Sequence, residues 1–146
     1  MYHIKTIAAA TAIALCAPAA LAQDSITVAI QLEPPNLDPT GGAAQAIDSV
    51  LYSNVFEGLT RFDADGAIIN GLAQSWDISE DGLVYTFNLA DGVSYHDGTT
   101  MDAEDVKFSL DRARAEDSIN AQKALFAGIT DVTVVDPLTV QVTLDQ

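Results

Sequence analysis

The sequence predicts a mixed α/β fold, an α+β arrangement in which helices pack on short antiparallel strands. Three features lead to this prediction. Residues 83–89 alternate between apolar and polar side chains, which is typical of a half-buried strand. Four Asp-Gly pairs separate the short apolar segments, as expected for tight turns. Elsewhere, apolar residues recur every three or four positions, which indicates helices.

Composition limits the classes of function. The chain has 146 residues, with 6 Lys+Arg against 21 Asp+Glu and a formal net charge of −15. Nucleic-acid binding is not expected, because neutralising phosphates requires lysine and arginine. Hydrophobic residues make up 49% of the chain, which excludes a disordered acidic tail. The length suits one domain with a buried core.

The first 22 residues have the pattern of a secretory signal peptide. Lys5 precedes an apolar run at residues 7–17, and Ala20-Leu21-Ala22 supplies the small residues of a cleavage site. The run is too short for a lasting membrane anchor, although an uncleaved N-terminal anchor is the alternative. Cys16 is the only cysteine and lies in this segment, so no disulfide is expected in the exported chain.

The segment after the signal peptide predicts a strand, a loop and a helix. Residues 25–30 are rich in β-branched side chains and read as a first strand. Three prolines and the Gly41-Gly42 pair then interrupt regular structure. A helix is expected over residues 43–59. Its predicted apolar stripe consists of Ile47, Val50, Leu51, Val55 and Leu59.

The next segment predicts a meander of antiparallel strands. Both residues of each Asp-Gly pair are expected to have positive φ, as in the tightest hairpin turns. The pairs are Asp65-Gly66, Asp81-Gly82, Asp91-Gly92 and Asp97-Gly98. Trp76, the only tryptophan, is expected to pack in the core, since large aromatic side chains dominate core energetics.

A second helix and a final hairpin complete the chain. Asp102 can cap a helix, and Asp105 three residues later can reach back to it in an acidic capping box. Val106 and Leu110 belong to the buried stripe of that helix. Two alternating segments, residues 132–134 and 138–144, flank a turn at Asp136-Pro137 and predict a hairpin.

Several motifs resemble one protein family. Residues 54–62, Asn-Val-Phe-Glu-Gly-Leu-Thr-Arg-Phe, are similar to the Asn-x-(Tyr/Phe)-Glu-(Gly/Pro)-Leu segment of the peptide- and nickel-type periplasmic solute-binding proteins of ABC importers, the bacterial extracellular solute-binding protein family 5. Further segments follow in that family's order and extend the resemblance over nearly all of the exported chain. They are residues 72–76, 79–82, 85–89, 96–99, 103–106 and 132–144.

The resemblance implies a two-lobed periplasmic-binding-protein fold of the class II type with an extra domain. Because family members run to several hundred residues, it implies that this chain is an N-terminal fragment. Residues 1–22 would be the signal peptide, and residues 23–45 the first strand and cleft loop of lobe I. Residues 46–146 would be the extra antiparallel-sheet and helix domain, truncated at its C-terminus.

The function implied is capture of a peptide or similar small solute, such as a nickel chelate, an opine or a sugar. A monomeric periplasmic protein would deliver it to an ABC transporter permease in the inner membrane, with no cofactor. The resemblance also implies ligand contacts just after the Leu-Asp-Pro turn, and weaker candidates after the second helix; an ordinary surface loop is the alternative. The candidates are Gly42, Ala43, Gln45, Ile47, Asn120 and Gln122.

A secreted hydrolase or metal enzyme, or an exported structural module, are the alternative functions. His96 and Asp97 are adjacent, and neighbouring strand residues point to opposite faces, so they are not expected to form a catalytic pair. The Asp63-x-Asp65-Gly66 segment lacks the glutamate that a calcium loop needs six residues after the glycine, where Leu72 stands. Neither catalytic residues nor a metal site are therefore predicted.

Overall fold

The computed structural model describes residues 26–42, 44–52 and 54–146. The chain divides into two units, residues 1–31 and 32–146. The predicted signal peptide, residues 1–22, lies outside the described residues. Within the described ranges, no helix combines the length and the apolar character needed to cross a bilayer.

The predicted first strand is not formed. Residues 26–30 have no regular secondary structure, and Ile26 and Val28 are 88% and 72% exposed. A strand exists only through hydrogen bonds to a neighbour, and none of the strand pairs in the described part of the chain includes this segment. A β-branched composition alone therefore did not make a strand here.

Helix α1, Gln45–Leu51, is shorter than the predicted helix over residues 43–59. The Asn54 side-chain amide donates to the Ser49 and Val50 carbonyls at 3.4 and 3.0 Å. The last carbonyls of a helix have no partner within it, so Asn54 supplies partners and the helix ends. Val55, on the predicted stripe, is consequently 46% exposed.

A small hairpin follows. Strands β1, Thr60–Phe62, and β2, Ile68–Asn70, pair antiparallel. In the turn, one oxygen of the Asp63 carboxylate accepts the Asp65 and Ala67 N–H groups, both at 2.9 Å. The Asp63 carboxylate therefore stabilises a turn, as expected from the sequence.

The main sheet has four strands, and every neighbouring pair is antiparallel. They are β3, Ala73–Ile78; β4, Val84–Leu89; β5, Ile129–Asp136; and β6, Thr139–Leu144. Their spatial order is β3-β4-β6-β5. The strand β6 returns beside β4, with Val140 opposite Phe87. The final hairpin is confirmed, but the predicted meander is divided into two antiparallel hairpins, β1-β2 and β3-β4, which belong to separate sheets.

The prediction that both residues of each Asp-Gly pair have positive φ is wrong. The glycines do, with φ between 73° and 87°, but no described residue other than glycine has a positive φ. The carboxylates of Asp81 and Asp97 accept the N–H groups two residues later, at 3.1 and 2.9 Å. This side-chain turn keeps each aspartate at negative φ and leaves the left-handed position to glycine alone.

Helix α2, Ala103–Arg114, begins with the predicted acidic capping box. Asp102 accepts the Glu104 and Asp105 N–H groups at 2.9 and 3.3 Å, and the Asp105 carboxylate accepts the Asp102 N–H group at 3.0 Å. Among the strands, the helix packs mainly on β5 and to a lesser extent on β6. The buried core beneath it consists of Leu89, Met101, Ala103, Val106, Val132, Val140 and Val142.

Trp76 is half-buried and does not belong to this core, so the prediction of core packing is wrong. It lies on β3, opposite Phe87 of β4. Strand β3 is at the edge of the sheet, and α2 covers the strands at the other side. The indole therefore lies on the apolar face but beyond the reach of the helix.

Candidate functional site

A turn around Asp38 connects to the end of helix α2. The Asp38 carboxylate accepts a hydrogen bond from Arg112 Nη2 at 2.7 Å, across 74 residues of sequence. Its other oxygen accepts the N–H and Oγ1–H groups of Thr40, both at 2.8 Å. The Asp38 carboxylate therefore stabilises the turn through Thr40 and connects it to α2 through Arg112.

Two further side chains hold the same turn. The Asn36 side chain accepts the Asp38 N–H group at 3.0 Å and donates to the Gly41 carbonyl at 3.2 Å. Tyr52, just past α1, donates its hydroxyl to the Pro39 carbonyl at 3.2 Å. A Cβ on Gly41 would lie 2.9 Å from the Asn36 side-chain oxygen, so a larger residue there would displace the Asn36 side chain from these hydrogen bonds.

The Asp38–Arg112 pair is ionised at neutral pH. The hydrogen bond from Arg112, followed by those from Thr40, lowers the pKa of Asp38 to about 2. The same bond raises the pKa of Arg112. Both side chains remain partly exposed, so solvent weakens the attraction, and the pair acts chiefly to orient the turn.

A cavity of about 220 Å³ lies between this turn and the segment after α2. It is lined by Thr40, Arg112, Ala115, Asp117, Ser118 and Ile119. Ligand contacts are expected from the sequence in these two segments, but none of the candidate residues that the structure describes lines the cavity. The lining combines two hydroxyl groups, a guanidinium and a carboxylate, which suits a polar solute.

The predicted residues near the turn occupy different environments. Gly42 is half-buried and Gln45 is exposed, whereas Ile47 is completely buried. The Ile47 Cδ1 atom lies 3.8 Å from the position of a Cβ on Gly42, so it supports the turn from behind. Ala43 lies outside the described residues.

The two predicted residues after α2 are joined to each other. Asn120 is 8% exposed, donates to the Ala113 carbonyl at 3.2 Å and accepts the Gln122 N–H group at 3.0 Å. Asn120 therefore shapes the segment that follows the helix. Gln122 is half-buried.

Sequence reasoning missed Thr40 and Arg112. The Asp38-x-Thr40 spacing is a readable signal, since an aspartate commonly bonds the residue two positions later. Arg112 lies near the end of α2, and no spacing rule reveals a partner 74 residues away.

Two observations bear on the alternative of an enzyme or a metal site. Nowhere in them do three His, Cys, Asp or Glu side chains gather as metal ligands would. The Asp97 carboxylate accepts hydrogen bonds from the backbone and side chain of Thr99 at 2.9 and 2.7 Å, which assigns it to the turn.

Comparison with known proteins gives a consistent result. A family model described as bacterial extracellular solute-binding proteins, family 5 Middle, matches residues 67–146. The glutathione-binding protein GsiB of Pectobacterium atrosepticum is 39% identical over 137 residues, covering 94% of this chain and 26% of that protein. GsiB of Escherichia coli strain K12 is 33% identical over 140 residues. The chain spans about a quarter of the length of these relatives.

Solved structures agree with the sequence matches. NikZ from Campylobacter jejuni, in complex with Ni(L-His), superposes with a TM-score of 0.66 and 34% identity, over 79% of this chain and 23% of that one. The Escherichia coli murein tripeptide binding protein MppA superposes with a TM-score of 0.70 and 30% identity, over 80% and 26%. The mixed α/β fold is thus that of the family, and the chain belongs to the bacterial extracellular solute-binding proteins, family 5.

Proposed function

We propose that this chain forms one wall of the ligand cleft in the periplasmic solute-binding component of an ABC importer. The observation that carries the proposal is the cavity at which the Asp38 turn meets the segment after α2. Its volume of about 220 Å³ is below that of most complete ligand sites, which measure ~300–1,000 Å³. A second wall would complete it, in keeping with relatives about four times as long.

The proposed ligand is a small polar solute of the peptide type. Relatives are named for binding glutathione and a murein tripeptide, and NikZ is described with Ni(L-His). Arg112 and Asp117 present opposite charges, and Thr40 and Ser118 present hydroxyl groups, so a solute with both an amine and a carboxylate could pair with each group.

None of the described ligand residues expected from the sequence lines this cavity, and we propose two roles for them beside it. Gln45, Gln122 and Gly42 retain exposed surface and could reach a solute directly; Ala43 remains a candidate from the sequence alone. Ile47 and Asn120 are buried and would support those contacts from behind.

The proposed mechanism is non-covalent. A ligand that binds the closed arrangement of two walls more tightly than the open one shifts the population toward closure. The closed form would then be presented to a permease. The protein would act as a monomer in the periplasm after removal of a signal peptide ending near Ala22; the family relationship and the N-terminal sequence pattern support this.

Glutathione is the first probe for this site, because the GsiB relatives are named for it. Titration of the ¹⁵N-labelled chain should shift amide resonances at residues 40–47 and 112–122, with a Kd of roughly 1 mM or weaker, because one wall offers few contacts. Arg112→Ala should abolish these shifts, since the turn loses its connection to α2. Arg61→Ala, which removes the same charge from β1, should leave them intact. Shifts centred on other residues, or shifts that persist in Arg112→Ala, would contradict the proposed site.

A further inference from the structure

A second cavity lies on another side of the end of α2. Its volume is about 400 Å³, and its lining consists of Arg114, Lys123, Ala124, Phe126, Ala127 and Ile129. Side chains two positions apart on a helix point about 200° apart, so Arg114 and Arg112 face different sides. The cavity shares no lining residue with the one at Thr40.

The lining of this cavity contains two basic side chains, although the chain as a whole is strongly acidic. Only six residues are lysine or arginine, against 21 acidic ones, and two of the six line this cavity. Residues 107–123 contain four basic and three acidic side chains, whereas the chain as a whole carries −15. Both charged side chains in the lining itself are cationic, which favours an anion over a cation there.

Arg114 is held in place before any ligand arrives. Its Nε and Nη2 atoms donate to one oxygen of Asp111 at 3.0 and 2.8 Å, and Nη1 donates to the Ile129 carbonyl at 2.9 Å. Lys107 also donates to Asp111, at 2.7 Å, and hydrogen bonds from these two cations lower the pKa of Asp111. A guanidinium fixed in this way loses little conformational freedom when it binds an anion.

Lys123 provides the second cationic group. Its Nζ atom donates to the Glu116 carbonyl at 2.6 Å, which among the described residues is its one hydrogen bond. An ammonium group has three donors, so two remain for a ligand. The rest of the lining is apolar, with Phe126 and Ile129 supplying the largest surfaces.

We propose that this cavity binds a small organic carboxylate that carries an apolar group. The carboxylate accepts hydrogen bonds from Lys123 Nζ and from Arg114 Nη2, and the apolar group packs against Phe126 and Ile129. This site is separate from the solute cleft proposed above and does not depend on it.

Phenylacetate is a suitable probe, and phenylacetamide is its uncharged counterpart. In a ¹⁵N NMR titration of the 146-residue chain, phenylacetate should cause saturable shifts at residues 114 and 123–129, and phenylacetamide should not. Lys123→Gln should weaken phenylacetate binding about tenfold, the effect of losing one charged hydrogen bond. Lys123→Arg keeps the charge and should retain binding.

Arg61→Gln is the matched control, because Arg61 lies on β1 and donates to the Asn70 carbonyl, away from the cavity lining. Equal weakening in Arg61→Gln and Lys123→Gln would show a general effect of net charge and overturn the proposal. Equal binding of phenylacetamide, or the absence of saturable shifts in a chain whose spectrum shows it to be folded, would also overturn it.

Discussion

Replacing Leu89 with alanine is expected to lower the free energy of unfolding by about 2–5 kcal/mol, the usual range for a leucine removed from a packed core. Leu89 ends β4 and is completely buried in the cluster beneath α2. Its N–H group donates to the Leu138 carbonyl at 2.7 Å, which fixes the backbone and limits collapse of the cavity. The measurement is urea denaturation followed by circular dichroism.

Leu125→Ala is the matched control. Leu125 lies in the 3₁₀ turn Lys123–Phe126 and is 79% exposed, so its loss should change stability by no more than ~0.5 kcal/mol. Similar losses in the two variants would show that the core is not centred where the structure places it.

Replacing Gly71 with alanine should be similarly disruptive for a different reason. Gly71 joins β2 to β3, and a Cβ there would lie 2.4 Å from the Gly58 carbonyl oxygen and 3.0 Å from that of Leu59. Both atoms are backbone, so no side-chain rotation relieves the clash. The Gly58 carbonyl also accepts the Leu72 N–H group at 2.9 Å. The shift needed to fit the methyl group should cost ~1–3 kcal/mol, measured as a lower Tm.

Gly128→Ala provides the comparison for that variant. The nearest atom to a Cβ on Gly128 is a carboxylate oxygen of Asp145 at 3.4 Å, and Gly128 is not among the positive-φ glycines. Its Tm should stay close to that of the parent chain. A Gly71→Ala variant as stable as Gly128→Ala would refute the close backbone approach at this junction.

The elements that the sequence predicted correctly have local causes. Helix α2 is recognisable because Asp102 and Asp105 satisfy its first N–H groups reciprocally. The alternation through Tyr85, Phe87 and Leu89 predicts β4 because one face of that strand turns to the core. Such signals lie within a few residues of the structure that they cause.

The errors have causes that local patterns do not contain. Apolar spacing extends the first helix to Leu59, but the Asn54 side chain ends it earlier. Residues 26–30 have strand-like composition, yet a strand depends on a partner. Trp76 was expected in the core because of its size, but β3 is an edge strand, and the strand order cannot be read from local sequence.

In the candidate site, too, local features could be predicted from the sequence and contacts between distant residues could not. The two segments with expected ligand contacts came from the family resemblance, but the cavity is lined by other residues of and near these segments, such as Thr40 and Ser118. The hydrogen bond from Arg112 to Asp38, which connects the segments, joins residues that are distant in sequence. Pairwise spacing carries no information about such a contact.

The central claim is that this chain supplies one wall of a solute cleft, and calorimetry on two proteins tests it most directly. One is the 146-residue chain. The other is a chimera in which residues 26–146 replace the matching quarter of GsiB from Pectobacterium atrosepticum. With glutathione, the chimera should bind at micromolar Kd and the chain alone at roughly 1 mM or weaker, because closure needs both walls. A folded chimera that fails to bind glutathione, or an isolated chain that binds as tightly as the chimera, would contradict the claim.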